Sequence, residues 1–534
     1  MLKYNCLEAS QPASQPASQP ASQPASQPAS QPASRFKIYQ LKIVLFSLIL
    51  FLIPNYSYSL TATTSQKIQG ELPYLTFNNG LTKEYGSTAL GLLRVKVSNG
   101  TSYIPSEHEA YPDAVVDTSS VDDPIMLEAT DTFESIETFV ALPSQNNNNY
   151  PKMEFDQLMI APYEVWQDDD GDKVVPLATQ PANLKGNLTV NWKDGLGRDI
   201  TDSVKSNPKQ VLSGCDAPYA LTVELHKGEV RTQYGDPSKL TIDNKSHTYY
   251  FYPKVTEPYV CYAQPNLDLG NGVYAGPAEQ WDPLKGFKLQ DINRPESNFP
   301  TTGSNNLYFK IRVEGITSEE FIRANGATVY SDDGTGVNLE LTPENNKAKG
   351  HITRVKLKGP NKANGGGEFV PSTFNFYADG GKSKLLYNFK IGRWYIGDTS
   401  FNTYGTSRNI CNGLQPTGSY RIPNIRDYTN ANTQEGYYPP VPGKSMYYER
   451  KISYWHDTER IMVGGLVSEW GNLSSNYYSE ANYVGGTAGW TQQTTNTING
   501  TVRWGGGFGD GRVYWNWDWY LPAVIRVGTT CVSP

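Results

Sequence analysis

The run W-Q-D-D-D-G-D, residues 166–172 of this 534-residue chain, is the stretch best suited to hold a metal. Asp168, Asp170 and Asp172 alternate and Gly171 permits a tight turn, so three carboxylates could offer oxygen ligands to calcium. The bidentate Glu that closes the fuller calcium loop is missing, and a solvated turn between two strands accounts for the same residues. A second constellation is V-Y-W-N-W-D-W-Y, 513–520. Successive side chains of a strand face opposite ways. Trp515, Trp517 and Trp519 would then share one face, and Tyr514, Asn516, Asp518 and Tyr520 the other. Aromatic side chains bury about 150–250 Å² each, so the Trp face is expected to pack inward. The opposite face is expected to border a ligand site together with Trp504. The Gly-rich run 505–511 reads as a loop at the domain's open end, and loop-borne aromatics are typical binding anchors.

Hydrolytic chemistry finds less support. Glu469 and Glu480 could imitate a glycosidase pair, but nothing in the sequence fixes their separation. His108, His226, His247, His351 and His456 are scattered, without a His-Glu-x-x-His or Gly-x-Ser-x-Gly motif. His456 and Asp457 are adjacent, so in a strand they point to different faces. The glycines of 505–511 do not follow a strand and open a helix, which excludes a nucleotide loop. No cofactor is required, and calcium is the one ion the sequence could use.

The elements that position these residues read as strands. Short β-branched and aromatic runs recur at 92–97, 188–192, 247–252, 307–313 and 352–357, separated by turns rich in Gly, Asn, Asp and Pro. Such spacing predicts β-sandwich modules. One short helix is expected over 318–324, capped by Ser318 and ended by Asn325-Gly326. The segment 385–396 is expected to close one module and lead into the last domain. Turn-rich breaks place a β-rich region at 60–150, sandwich modules at 151–297 and 298–397, and a Gly-, Tyr- and Trp-rich domain at 398–534.

The amino terminus predicts export. Arg35, Lys37 and Lys42 precede the 11-residue apolar run 43–53, which is too short to span a membrane at about 20 residues. Pro54 follows, and Ser57 and Ser59 suit cleavage before Leu60, giving a signal peptide over 35–59. The leader 1–34 contains Gln-Pro-Ala-Ser six times in succession. Repeated CAGC encodes this peptide in any frame without a stop, so gain or loss of one unit would switch the downstream frame. Phase-variable expression is the expectation; a disordered leader with a misassigned start is the alternative. Removing 1–59 takes the net charge from −7 to −10, which argues against nucleic acid as a partner. Four cysteines remain, an even count that reads as two disulfides in an exported chain. Three pairings are possible, and proximity favours Cys215–Cys261 and Cys411–Cys531, one staple per domain.

Several runs in the last third carry a resemblance. These are I-C-N-G-L at 410–414, S-Y-R-I-P-N-I-R-D-Y-T-N-A at 419–431, Y-Y-E-R-K-I at 447–452, G-G-L-V-S-E-W-G-N-L at 464–473 and the terminal C-V-S-P. Together they resemble the C-terminal domain of exported Gram-negative adhesin-like proteins, similar in architecture to the intimin and invasin type. The resemblance covers 290–534 well and 150–290 loosely. It implies a mostly β chain: tandem Ig-like β-sandwich modules, then a disulfide-closed α+β C-type-lectin-like domain. It also implies adhesion to a host-cell surface glycan or protein. C-type lectins that bind sugar through calcium use a Glu-Pro-Asn-like loop and a Trp-Asn-Asp strand. Here Glu480-Ala481-Asn482 lacks the proline, and Asn516 and Asp518 are separated by one residue, so a lectin-like fold without that calcium site is expected. No barrel, sorting motif or lipid site is visible after residue 60. Release, or capture by an outer-membrane anchoring partner, is therefore expected. A secreted polysaccharide hydrolase with a C-terminal binding module, and a structural envelope protein, are the alternative functions.

Overall fold

The computed structural model describes residues 70–533 except 87–88, 146, 170–185, 233–235, 345–350, 433–445, 457–460, 484–487, 498–499 and 516–526. The repeat leader and the expected signal peptide lie outside the described residues.

The chain is mostly β, as its alternating pattern requires. Strand Tyr219–His226 buries every second residue, and strand Asn187–Lys193 buries Leu188, Val190 and Trp192. Val190 lies opposite Val223, so the apolar faces of the two strands coincide. These strands centre a five-stranded sheet in the order Ile125–Leu127, Lys245–Pro253, Tyr219–His226, Asn187–Lys193 and Lys152–Glu154. Residues of the expected 60–150 region, Leu92, Phe133 and Phe139 among them, share one core with this sheet.

A seven-stranded antiparallel sheet follows, with Tyr259–Gln264, Tyr308–Glu314, Ile352–Lys358 and Asn338–Pro343 adjacent at its middle. Tyr259–Gln264 pairs with Tyr308–Glu314, so the expected break at 297/298 falls inside one sheet. The hairpin Ser372–Tyr377 and Leu385–Ile391 packs on this sheet; the Phe309 and Phe389 rings meet edge to face at 5.9 Å. The expected helix is present as Ser318–Asn325, but its cap is Thr317. Thr317 and Glu320 form a reciprocal capping box, which satisfies two backbone N–H groups that Ser318 at the first helical position could not reach.

The segment 385–396 divides at Gly392. Leu385–Ile391 completes the hairpin, and Arg393–Asn402 crosses into a six-stranded sheet of the C-terminal part. That sheet runs Thr302–Ser304, Arg393–Asn402, Val527–Ser533, Ala488–Thr497, Gly500–Gly507 and Val513–Trp515. Thr302–Ser304 is thus lent to it by the preceding module. One continuous core runs from Ala263 to Val532, with Trp281, Trp394, Trp470 and Trp504 all buried. Helix Tyr404–Gly413 is tied to the strand Val527–Ser533 by the Cys411–Cys531 disulfide. The Cys215–Cys261 disulfide joins the loop before Tyr219 to a strand of the seven-stranded sheet. Both favoured pairings therefore form. The first links the two sheets, whereas one staple within each domain was expected.

Candidate binding site

The residues expected to form the C-terminal ligand site are only partly placed. Tyr514 lies in strand Val513–Trp515 opposite Gly505, while Asn516, Asp518 and Tyr520 fall outside the described residues. Trp504 is corrected from a surface anchor to a core residue, at 1% exposure. A large ring buries more apolar area inside the sheet than at its rim. Trp490 is likewise buried, and its indole N–H donates to the Asn402 carbonyl at 2.8 Å. Glu480 is exposed and pairs with Lys356 at 3.1 Å, while its carbonyl accepts from Asn306. Asn482 is exposed and adopts a left-handed backbone, φ 61°. Glu480 and Asn482 therefore sit where the C-terminal part meets the seven-stranded sheet.

Of the acidic run, Asp168 is half-buried after strand Trp166–Gln167, whereas Asp170 and Asp172 lie outside the described residues. Its neighbour Asp169 accepts from Tyr74 at 2.7 Å and pairs with Lys83. The hydrogen bond from Lys83 is the main reason its carboxyl sits below the usual range. Among the described residues no group of three or more His, Cys, Asp or Glu side chains could hold a metal.

Glu469, weighed above with Glu480 as a possible glycosidase pair, has a structural role. It is completely buried on the short helix Leu466–Trp470. Its carboxylate accepts from the N–H groups of Thr301, Thr302 and Ser453 at 3.0, 2.9 and 2.9 Å, and from the hydroxyls of Thr301 and Thr302. The low-dielectric interior makes an unpaired charge costly, and these five donors compensate it. Glu469 therefore clamps the 301–302 and 453 segments together. The helix that carries it follows Gly465, whose φ of +92° and close approach to the Asp427 carbonyl exclude a Cβ.

Above this clamp the surface opens into a pocket of about 970 Å³. Among the described residues its lining includes Lys390, Arg393, Lys451 and Arg294, the last paired with Glu296 at 3.3 Å. Tyr454 and Trp455 supply the aromatic wall, and Trp455 is 53% exposed. Arg393 gives one N–H to Asp427, a buried carboxylate that also accepts from Arg421 at 2.7 Å. Two guanidinium charges thus share one carboxylate. The Lys451 ammonium lies 4.8 Å from the Tyr454 ring centroid. Sequence reading missed this site because its cations come from separate segments, each with one or two basic residues and no motif. The nearest feature weighed above is the adjacent pair His456-Asp457, which follows Trp455. A second pocket, about 1010 Å³, lies in the first β unit where Arg94 stacks on Tyr111 at 4.9 Å.

No family model and no curated protein matches the sequence. Among solved structures the chain is similar to invasin, described as a bacterial integrin-binding protein, at 13% identity and a TM-score of 0.28. That alignment covers 60% of this chain and 45% of the invasin chain, so less than half of the latter is spanned. It is also similar to the C-terminal 282-residue fragment of intimin, solved in complex with the intimin-binding domain of the translocated intimin receptor. There the identity is 12% and the TM-score 0.24, over 59% of this chain and 94% of the fragment.

Proposed function

We propose that this chain is an exported, surface-exposed bacterial adhesin whose expression is phase-variable, and that it binds a host-cell glycan or protein through its C-terminal part. The observation that carries this reading is the use of Glu469. The carboxylate a hydrolase would need is sealed under five donors, while the surface it organises is an open cationic and aromatic pocket. A site held rigid by buried polar contacts favours recognition, because little ordering cost remains at binding. The signal-like run 43–53 and the two disulfides suit an exported location. Calcium at Asp168, Asp170 and Asp172 remains part of the proposal as an optional ligand, and an outer-membrane partner as a means of retention.

The test is attachment of the exported protein to epithelial cells and to a glycan array, with calcium and with chelator. Saturable attachment is expected. Loss in chelator would assign a role to the 168–172 run. Absence of attachment, together with release of reducing ends from a polysaccharide, would replace the binding reading with the hydrolase.

A further inference from the structure

We infer that Asn271 is a site of spontaneous covalent modification, because the fold leaves its side chain and the amide that follows it unbonded while it engages the comparable pairs elsewhere. The chemistry does not depend on what the chain binds. In an Asn-Gly pair the glycine nitrogen attacks the Asn Cγ within the same chain, so no second molecule has to be brought up. The N–Cγ bond forms, the Cγ–Nδ2 bond breaks, and Nδ2 leaves as ammonia with the proton that the glycine amide gives up. Water then opens the five-membered imide at one of its two carbonyls. One opening leaves Asp at 271, and the other leaves isoaspartate, whose main chain runs through the side-chain carbon. Glycine favours the attack because no Cβ shields its nitrogen.

The pair occurs seven times, with Asn at 79, 99, 271, 325, 364, 412 and 499. Asn499 lies outside the described residues. At four others the attacking N–H is already spent. Gly80 donates to the Thr76 hydroxyl at 2.8 Å, Gly100 to the Val97 carbonyl at 2.9 Å, Gly326 to the Ile322 carbonyl at 2.7 Å and Gly365 to the Lys362 carbonyl at 3.0 Å. Two of these asparagines are held by their side chains as well. Asn99 accepts from the Thr101 N–H at 2.9 Å; Asn325 donates to the Phe321 and Tyr377 carbonyls and accepts from the Tyr377 N–H. Asn412-Gly413 ends helix Tyr404–Gly413, whose backbone fixes both residues. A bonded amide has to open before its nitrogen can reach Cγ, so the fold slows each of these five.

Asn271 and Gly272 differ on every count. Both are exposed. Asn271 stands before the short turn Gly272–Tyr274 in extended backbone, and its side chain makes no capping bond to that turn. Gly272 has a φ of +54°, and a Cβ built on it would meet nothing within 4 Å. Among the described residues neither the Asn271 side chain nor the Gly272 N–H has a hydrogen-bond partner. The residues on either side are held. The Gly270 carbonyl accepts from the Trp281 indole at 2.7 Å, the Leu269 carbonyl from the Tyr448 hydroxyl at 3.0 Å, and the Tyr274 carbonyl from the Arg450 N–H at 3.0 Å. The reaction therefore sets a new carboxylate, and in isoaspartate one extra main-chain atom, between fixed points where the seven-stranded sheet meets the C-terminal part.

The experiment is incubation of the folded, exported protein at mildly alkaline pH, followed by ion-exchange chromatography, peptide mapping by mass spectrometry and enzymatic methyl labelling of isoaspartate. A more acidic form is expected to accumulate, with both Asp and isoaspartate at 271 in the tryptic peptide 255–285. That peptide should convert well ahead of those that carry Asn79, Asn99, Asn325, Asn364 and Asn412. Asn271→Gln would have to close a larger ring, so it is expected to abolish the acidic form while leaving the thermal midpoint unchanged. Gly272→Ala places a Cβ beside the attacking nitrogen and is expected to slow conversion roughly tenfold. Unfolding in denaturant is expected to bring the five protected pairs up to the rate at 271. Conversion of any of those five in the folded protein as fast as at 271, or an acidic form that persists undiminished in Asn271→Gln, would overturn the assignment.

Discussion

Single buried acids in this chain do structural work that their sequence context does not announce. Glu469 suggested at most half of a glycosidase pair in a run that otherwise carries a resemblance, and its five donors come from residues up to 168 positions away. Glu469→Ala leaves all five without an acceptor in a dry interior, so unfolding in denaturant should show a loss of about 3–5 kcal/mol. Glu84 makes the opposite case. It is 5% exposed beside His108, and burial pushes its carboxyl up to about 8 while pushing the His108 imidazole down. Near neutral pH both groups are uncharged, a carboxyl facing an imidazole. The folded value lies above the ordinary 4.5, so the fold favours the protonated acid. Its stabilisation is full below pH 4.5 and is lost as pH rises through about 8. Below the ordinary imidazole value of 6.5 the lowered His108 acts with the opposite sign, so the thermal midpoint of the first β unit should fall mainly between about pH 6.5 and pH 8, and Glu84→Gln should flatten that slope. An unchanged slope in the variant would remove Glu84 as its source.

At the level of elements, burial of one face leaves the clearest trace in the sequence. Strands 187–193, 245–253, 308–314 and 352–358 were legible because β-branched and aromatic residues recur along each; burial alternates strictly in 187–193 and over part of the other three, where 308–314 ends with four buried residues in a row. Helix 318–325 was legible from its pattern, yet its cap lies one residue earlier, since capping is decided by which hydroxyl reaches the N3 amide. Thr317→Ala should cost about 1 kcal/mol and Ser318→Ala should not act through the cap. The cysteine pairing followed from proximity, but what the first pair joins did not, because sheet membership of 259–264 is set by long-range pairing. At that junction Arg312 and Glu314 form a buried ion pair at 2.6 Å; Arg312 also donates to the Gly214 carbonyl and Tyr252 to Glu314. The disulfide closes a loop with a sequence separation of 46 residues. Cys215→Ala with Cys261→Ala should lower stability by about 4 kcal/mol in the chain-entropy picture. Calorimetry should then resolve two transitions, since the couplings left at the junction are polar: the Arg312–Glu314 contacts, the Lys285–Asp216 and Arg198–Asp282 ion pairs and the Gly214 N–H donated to Tyr259; a single unshifted transition would show that the disulfide is dispensable.

At the scale of the whole chain, the cores divide it differently from the turn-rich breaks. One core spans Leu75 to Phe251 and another Ala263 to Val532. Composition marks 398–534 as distinct, but composition does not report which side chains share an interior. Trp470 is buried against Phe299 at 5.0 Å and donates to the Thr302 carbonyl; Arg450, fully buried, lies over Trp281 at 4.8 Å and donates to the Asp268 carbonyl. Strand Thr302–Ser304 also pairs with Arg393–Asn402 inside the C-terminal sheet. Cutting at 398 would strip that sheet of an edge strand, split Arg393–Asn402 and expose the indole of Trp470. A fragment 398–534 is expected to lack a cooperative unfolding transition and to bind a hydrophobic dye, whereas 256–534 should unfold in one step with the Cys411–Cys531 disulfide formed. Cooperative folding of 398–534 alone would mean that the interface with 263–397 contributes little. The pocket above Glu469 is lined from both sides of that interface, by Thr301 and Thr302 on one and Ser453 and Tyr454 on the other, so its frame depends on the same contacts.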